Sequence, residues 1–498
     1  MREKFIFFEC SIVFRLCLSL ALILSPILTK GQDHSDAQPR IEKVEQGVLL
    51  DPFIVSGVPP RTQSISEAMK EAGIPGLSLA VIEGEKISWA RGYGVTTQGG
   101  VPISSHTLFS AGSLTKLVSA IAVLRLVDQR RLSLDADVNS YLRSWHLTGT
   151  TAHSPVTLRQ LLSHTSGIQQ HFFYSYKAGE SLPTTLDILK GKVPARNPTV
   201  TRIGKPGEKF DYSSAGYSVV QMVLEDVTRQ KFPDVIKEQV FKPTGMTDST
   251  FEQPDASNFR DRAVGHLDQS GKLTVQPAAF PELASSGMWT TATDVARLLI
   301  CLRKSGCLLS EKSWKAMTTP VKENSGLGVF LAGEGSSLRI RARTSDGRPE
   351  DGYSGWVTCY INSSRGAVIL ANSYTAFSKG FAMLRSIAHE YDWPGYLAIL
   401  PGQQNSNLQA YVGKYQLDEP ITISNQGEAL VVSYGELEKV PLLPSGQNSF
   451  VVNFEPVSDF VLTFHMGSQG KADRLTLTTG FRRFEAPRIE QQSPPSSR

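Results

Sequence analysis

Strand-like segments open the folded part of this chain, helical segments fill its middle, and strand-like segments close it. The stretch "IPGLSLAVIEGEKISWARGYGV" reads as two apolar-rich strands, 76–82 and 86–92, around a turn at Gly84. From Ser113 to Asp128 the run is almost unbrokenly apolar, as in a buried helix. Between about 130 and 260, helical segments ("TLRQLLSHTSGI", "SVVQMVLEDVT", "DVIKEQVF") alternate with polar loops. After the helix "TTATDVARLLICLRKSG", the strands "GLGVFLAG", "GYSGWVTCYIN" and "GAVILAN" follow, and the helix "SKGFAMLRSIAHEY" ends the unit. This order is not the βαβ alternation of a parallel sheet. It predicts an α+β fold: an antiparallel sheet, first and last strands together, flanked by helices with an inserted all-helical region.

At 498 residues the chain exceeds one ordinary core. "LPGQQNSNLQ" reads as a linker, and beyond it short strands at regular spacing suggest a small C-terminal β-barrel or sandwich. The expected division is 32–64 as a lead-in, 65–398 as the α+β domain and 399–409 as linker. Residues 410–488 would be the β-domain and 489–498 a disordered tail. Residues 1–31 read as an export signal, with basic residues ahead of "LCLSLALILSPIL" and cleavage after Gly31, which implies a periplasmic or secreted protein. The alternative is an uncleaved anchor. No later segment is long and apolar enough to span a membrane.

The net charge is +4, and Arg2, Lys4, Arg15 and Lys30 against Glu3 and Glu9 supply half of it within the signal. A nearly neutral mature chain lacks the basic face that nucleic acid requires. Two of five cysteines lie in the signal. Gly306 reads as a helix C-cap that turns Cys307 back toward Cys301, leaving a bridge or two separate buried thiols open. No HExxH and no suitably spaced histidine pair occur, so neither metal nor other cofactor is expected. Nothing fixes the oligomeric state.

Chemistry is concentrated in "FSAGSLTKLVSAIAVLRL". Gly112 precedes Ser113 and apolar residues follow at once, which places Ser113 at a helix N-terminus. There, free N–H groups favour a developing negative charge. Lys116 lies three residues on, along the same helix face. Burial disfavours an ammonium ion, and a neutral amine beside a hydroxyl can act as a base. The plainer alternative is a capping serine and a lysine that snorkels to water. A second Ser-x-x-Lys, Ser468 to Lys471, falls in a β-turn pattern and is given no function.

Six blocks stand in order: "IPGLSLAVIEGEKISWARGYG", "LFSAGSLTKLVSAIAV", "LRQLLSHTSGI", "FDYSSAGYSVV", "FKPTGMTDSTF" and "LASSGMWTTATDVARLL". Together they resemble the serine β-lactamase and penicillin-binding protein superfamily, in its class C-like serine hydrolase and esterase branch, over residues 65 to about 395. The part opening "YVGKY" is similar to the lipocalin-like β-domain of some members. The resemblance implies a β-lactamase/transpeptidase-like fold, with Ser113 the acyl-accepting nucleophile, Lys116 its general base and Tyr212 a proton relay. It implies an oxyanion hole of the Ser113 N–H and a second N–H from the strand carrying the third motif.

Two departures bear on substrate. The usual Tyr-x-Asn is Tyr212-Ser213-Ser214, and Ser214 lacks the amide's paired geometry. The third motif aligns with Ser345-Asp346-Gly347. Gly347 keeps space for substrate, whereas Ser345 lacks the cation or ring that usually faces a substrate carboxylate; Arg341, Arg343 or Arg348 would have to supply it. The expected partner is therefore a small ester or amide, with a D-amino peptide or β-lactam less favoured. A catalytically weakened ligand-binding or sensing protein is the alternative. The absence of GxSxG excludes an α/β-hydrolase.

Overall fold

The computed structural model describes residues 37–489 except 52, 57–58, 151–153, 169–175, 178, 255–261, 267–277, 345–351, 401–406, 428, 436, 447, 453–459 and 480–481. The signal and residues 490–498 of the expected tail lie outside the described residues, as do Ser345, Gly347 and Arg348.

The main sheet has six strands: β1 (Gly76–Glu83), β2 (Lys86–Gly94), β3 (Phe330–Ala332), β4 (Arg339–Arg343), β5 (Ser354–Tyr360) and β6 (Arg365–Ala371). Their spatial order is β3-β4-β5-β6-β1-β2, with every pairing antiparallel. The opening strand β1 thus lies beside the closing strand β6, with Leu79 opposite Ile369. Both are buried along nearly their whole length, which explains their continuous rather than alternating apolar sequence. Gly84, at φ +67°, turns β1 into β2.

The helical region packs on one face of this sheet. Helix α1 (Thr115–Asp128) is buried on nearly every side, because its sequence has no polar face to offer solvent. Helix α2 (Leu158–Leu162) starts at a capping box of Thr157 and Gln160, and α3 (Ser214–Thr228) at the Ser213 hydroxyl, which accepts from the Gly216 N–H. The short α4 (Leu283–Ser286) packs against both α1 and α3, and α5 (Ala292–Arg303) lies on β1 and β6. Cys301, in the last turn of α5, forms a disulfide with Cys307 just beyond the helix, so the bridged alternative holds. Helix α6 (Ala376–Glu390) packs against β5.

The segment expected to be a lead-in carries structure of its own. Val48–Leu49 pairs with Thr62–Gln63, and the Leu49 N–H donates to the Ser386 hydroxyl of α6 at 2.9 Å. Phe53–Val55 pairs in parallel with Ala398–Leu400, at the start of the expected linker. Short, partly polar strands give too few alternations to stand out in sequence.

Eight further strands form one antiparallel sheet in sequence order: β7 (Gly413–Gln416), β8 (Pro420–Gln426), β9 (Ala429–Tyr434), β10 (Leu437–Pro444), β11 (Ser449–Val452), β12 (Val461–Met466), β13 (Ala472–Thr479) and β14 (Arg482–Pro487). The Tyr415–Arg488 bridge and the Ile489 N–H to Lys414 carbonyl bond bring its two ends together, so the sheet is a nearly closed barrel. Tyr411, Tyr415, Phe450 and Phe464 fill its interior. Ser468 to Lys471 sits in the turn between β12 and β13. Residues 40–498 cluster as one unit. Among the described residues, no helix is long and apolar enough to cross a membrane, and no group of side chains is arranged to hold a metal ion.

Candidate active site

Three elements deliver the central groups. Phe109–Ser110 pairs with Trp289–Thr290, and this short ladder leads into a 3-10 turn, Gly112–Leu114, that runs directly into α1. Gly112 has φ +44°, and a Cβ there would stand 2.1 Å from the Thr344 carbonyl oxygen. The glycine therefore lets the turn approach the end of β4 closely. Ser113 stands in that turn, two residues ahead of the regular helix.

Lys116 is 3% exposed, so it does not snorkel. Its Nζ donates to Ser113 Oγ at 3.0 Å and to the Ser285 carbonyl of α4 at 3.0 Å. The same nitrogen lies 5.1 Å from the centroid of the Tyr212 ring and 5.6 Å from that of Tyr217. A carbonyl, a hydroxyl and two ring faces thus surround a nitrogen that water barely reaches. The Tyr212 hydroxyl donates to Ser113 Oγ at 2.8 Å. Ser113, Lys116 and Tyr212 are together, although 99 residues separate the serine from the tyrosine.

Ser214 occupies the first turn of α3, two residues past Tyr212. It is buried. Arg341 does not face Ser113. Its guanidinium lies 4.9 Å from the Phe381 ring of α6, because alternation along β4 sends odd-numbered residues away from the helical core that holds Ile340 and Ala342. Arg341 is therefore not the replacement cation that Ser345 would need.

His164 was not singled out from the sequence, yet it holds the Tyr212 loop. It follows α2 at φ +60°, a conformation that histidine tolerates better than most residues. Its Nδ1 accepts from the Ser213 N–H at 3.0 Å, and its carbonyl accepts from the Asp211 N–H at 2.7 Å. Its ring lies 4.3 Å from that of Tyr212. Tyr212 is thus gripped on both flanking amides and on its ring. The readable signal was "SHTSG", a turn cluster directly after a helix.

Glu282, also absent from the sequence reading, caps α4 and is 2% exposed. Burial pushes its carboxyl up to about 8; its backbone contact and the Lys116 charge pull the other way. At neutral pH the carboxyl is mostly protonated, so it does not act as a fixed counter-charge to Lys116.

The Ser113 N–H, expected to be an open oxyanion donor, donates instead to the Thr344 carbonyl at 2.6 Å. As the chain stands, that donor is engaged by the strand end beside it.

The model of the beta-lactamase family matches residues 62–390. The putative penicillin-binding protein PbpX of Bacillus subtilis is 29% identical over 278 residues, which cover 55% of this chain and 66% of that one. Across the first curated relatives matched, the chain spans about half of their length, 46%. The octameric penicillin-binding protein homologue from Pyrococcus abyssi shares the fold at a TM-score of 0.54 and 21% identity, covering 84% of this chain and 98% of that one. The D-amino acid amidase from Ochrobactrum anthropi, solved with L-phenylalanine amide, does so at 0.52 and 20%, covering 66% and 98%. A match across most of the chain from the opening strand to α6, on a sheet of this order, shows that the chain belongs to the beta-lactamase family.

Proposed function

We propose that this chain is an exported serine hydrolase that forms an acyl-enzyme on Ser113 from a small ester or amide. The observation that carries the reading is the convergence of Lys116 Nζ and the Tyr212 hydroxyl on Ser113 Oγ, at 3.0 and 2.8 Å. Lys116, as the neutral amine, takes the hydroxyl proton while Oγ bonds to the substrate carbonyl carbon. The tetrahedral oxyanion collapses and expels the alcohol or amine, which Tyr212 protonates, drawing on the proton held by Lys116. Water, activated by the same pair, then cleaves the Ser113 ester and releases the acid.

Amide turnover draws support from the amidase that shares this fold. Export draws support from the Cys301–Cys307 disulfide, since such bridges persist in oxidising compartments. Ser214 and Ser345 would line the substrate side, with Gly347 leaving it room. The loss of a cation at Ser345 favours esters and amides over lactams and D-alanyl peptides, whose carboxylate wants one.

The test is labelling of purified protein by a serine-acylating probe, read by intact mass. One covalent adduct, absent in Ser113→Ala, is expected; undiminished labelling of that variant removes the proposal. A second reading, a weakened hydrolase that binds rather than turns over, is favoured by the engaged Ser113 N–H. Ester turnover that is lost in Lys116→Ala excludes it.

A further inference from the structure

Gln221 stands inside the apolar run of α3 and is buried. A side-chain amide in that position must find partners for an oxygen and for two N–H groups. It finds them on three sides. Its Oε1 accepts from the Ala284 N–H of α4 at 3.1 Å. Its Nε2 donates to the Thr185 hydroxyl at 2.8 Å and to the Glu225 carboxyl at 3.3 Å. Half a turn of the amide would set N–H against N–H at Ala284, so that contact fixes which end faces α4.

Helix α4 needs the acceptor. It has four residues, and its N-cap, Glu282, makes no side-chain capping bond. The Ala284 N–H is one of the donors that a helix start leaves open, and Gln221 takes it from a neighbouring helix. From the other side, the Ser119 hydroxyl of α1 donates to the Ala284 carbonyl at 2.7 Å, the shorter of its two carbonyl contacts. Ala284 is thus held on both backbone groups, by α3 on one and by α1 on the other. The next carbonyl along is that of Ser285, which accepts from Lys116 Nζ at 3.0 Å. Gln221 stands about two turns into a helix that opens just after Tyr212. One helix therefore carries the phenol to Ser113 at its start and steadies the amine's acceptor further along.

We propose that Gln221 is a positioning residue for acyl transfer: by holding the Ala284 N–H, it keeps the Ser285 carbonyl where that carbonyl aims the Lys116 amine at Ser113 Oγ. The assignment rests on the acyl-enzyme reading above. Ser285 and Ser113 supply the two hydrogen-bond acceptors of Nζ among the described residues. Without the fixed one, a flexible four-carbon stem is aimed by the reacting hydroxyl alone. Displacements of about 1 Å at a reacting group cost as much as ~100-fold in rate.

Steady-state hydrolysis of p-nitrophenyl butyrate by the full chain, expressed per folded molecule, tests this. Gln221→Met keeps the volume and removes the acceptor. Its kcat should fall roughly 10- to 100-fold with KM within about twofold of wild type, because one amine serves both halves of the reaction and Gln221 does not touch substrate. Gln221→Glu/Glu225→Gln returns an acceptor to Ala284 and an amide donor beside it, and it should bring kcat back to within about threefold of wild type. Thr185→Val frees only the far end of the amide. Thr184 caps that helix, so the variant should fold, and its kcat should drop by a smaller factor. Wild-type kcat in Gln221→Met, a loss that appears in KM instead, or a double variant that leaves kcat low would each overturn the assignment. If Gln221→Met does not fold, wild-type kcat in Thr185→Val overturns it. A wild-type chain with neither turnover nor a Ser113 adduct would instead defeat the acyl-enzyme reading itself.

Discussion

The Ser113 amide N–H and the Thr344 carbonyl oxygen are 2.6 Å apart and hydrogen-bonded, so the helix turn and the end of β4 are tied at the reacting hydroxyl. Any substrate carbonyl polarised by that N–H must displace Thr344. The tie depends on Gly112, whose φ of +44° and missing Cβ admit the carbonyl. Gly112→Ala should cost ~2 kcal/mol or more, through left-handed strain and the clash. It should also slow acylation of Ser113. Urea unfolding and timed probe labelling check both effects; a variant that matches wild type in both shows the close approach to be incidental.

Tyr212→Phe separates chemistry from packing. It keeps the ring 4.3 Å from His164 and removes the hydroxyl that reaches Ser113. The melting temperature should hold, while the acylation rate falls roughly 10²- to 10⁴-fold, the usual loss of an acid–base group. Lys116→Met should be as inactive without being less stable, because it replaces a buried amine with apolar volume. Activity retained in either variant removes that residue from the mechanism.

The main sheet was legible because β1 and β6 are buried on both faces and announce themselves as apolar runs. Lys116 was legible for a related reason: a cation inside such a run must be either mistaken or useful, and ordered motifs around it decided which. His164 was not, because its contribution is a backbone carbonyl, a ring nitrogen and a positive φ, none of which leaves a distinctive letter. The ladder between Phe53–Val55 and Ala398–Leu400 was hidden too, since parallel pairing across more than 300 residues leaves no local pattern. The direction of Arg341 was not visible in "RIRAR", because facing direction depends on the register of β4, which letters alone do not supply.

Glu282 makes stability depend on pH in a definite direction. Folding raises its carboxyl from an ordinary value of 4.5 to about 8, so the folded chain holds a proton that the unfolded chain releases. The contribution is intact below about pH 4.5 and is lost progressively as pH rises toward 8. Glu282→Gln mimics the protonated form and should flatten that decline. At pH 9 the variant should exceed wild type by something on the order of 5 kcal/mol at most. Urea unfolding from pH 5 to 9 reads this, and parallel curves for the two proteins would show that Glu282 does not titrate as described.

The Cys301–Cys307 bridge closes a short loop at the end of α5, with a sequence separation of 6. Chain-entropy arguments for so small a loop give about 2 kcal/mol. Cys301→Ser/Cys307→Ser should melt a few degrees lower than wild type and lose the sensitivity to reductant that wild type shows. Alkylation with and without prior reduction counts the thiols; two extra labels after reduction are expected, and none would mean that the bridge does not form.

His164 is best tested by rescue. Its Nδ1 accepts the Ser213 N–H, and its ring backs Tyr212, so two losses are combined in His164→Ala. A buried N–H is left without its acceptor, at ~1–3 kcal/mol, and alanine must adopt the φ of +60° that it resists. His164→Asn restores a side-chain acceptor and tolerates that φ, but it cannot supply a ring. Stability should therefore fall sharply in the alanine variant and recover in large part in the asparagine variant. Activity should stay low in both, with kcat reduced more than KM is raised, because Tyr212 keeps its hydroxyl but loses the surface that aims it at Ser113. If asparagine restores activity along with stability, the acceptor alone positions the loop and the ring contact is packing without consequence for the reaction.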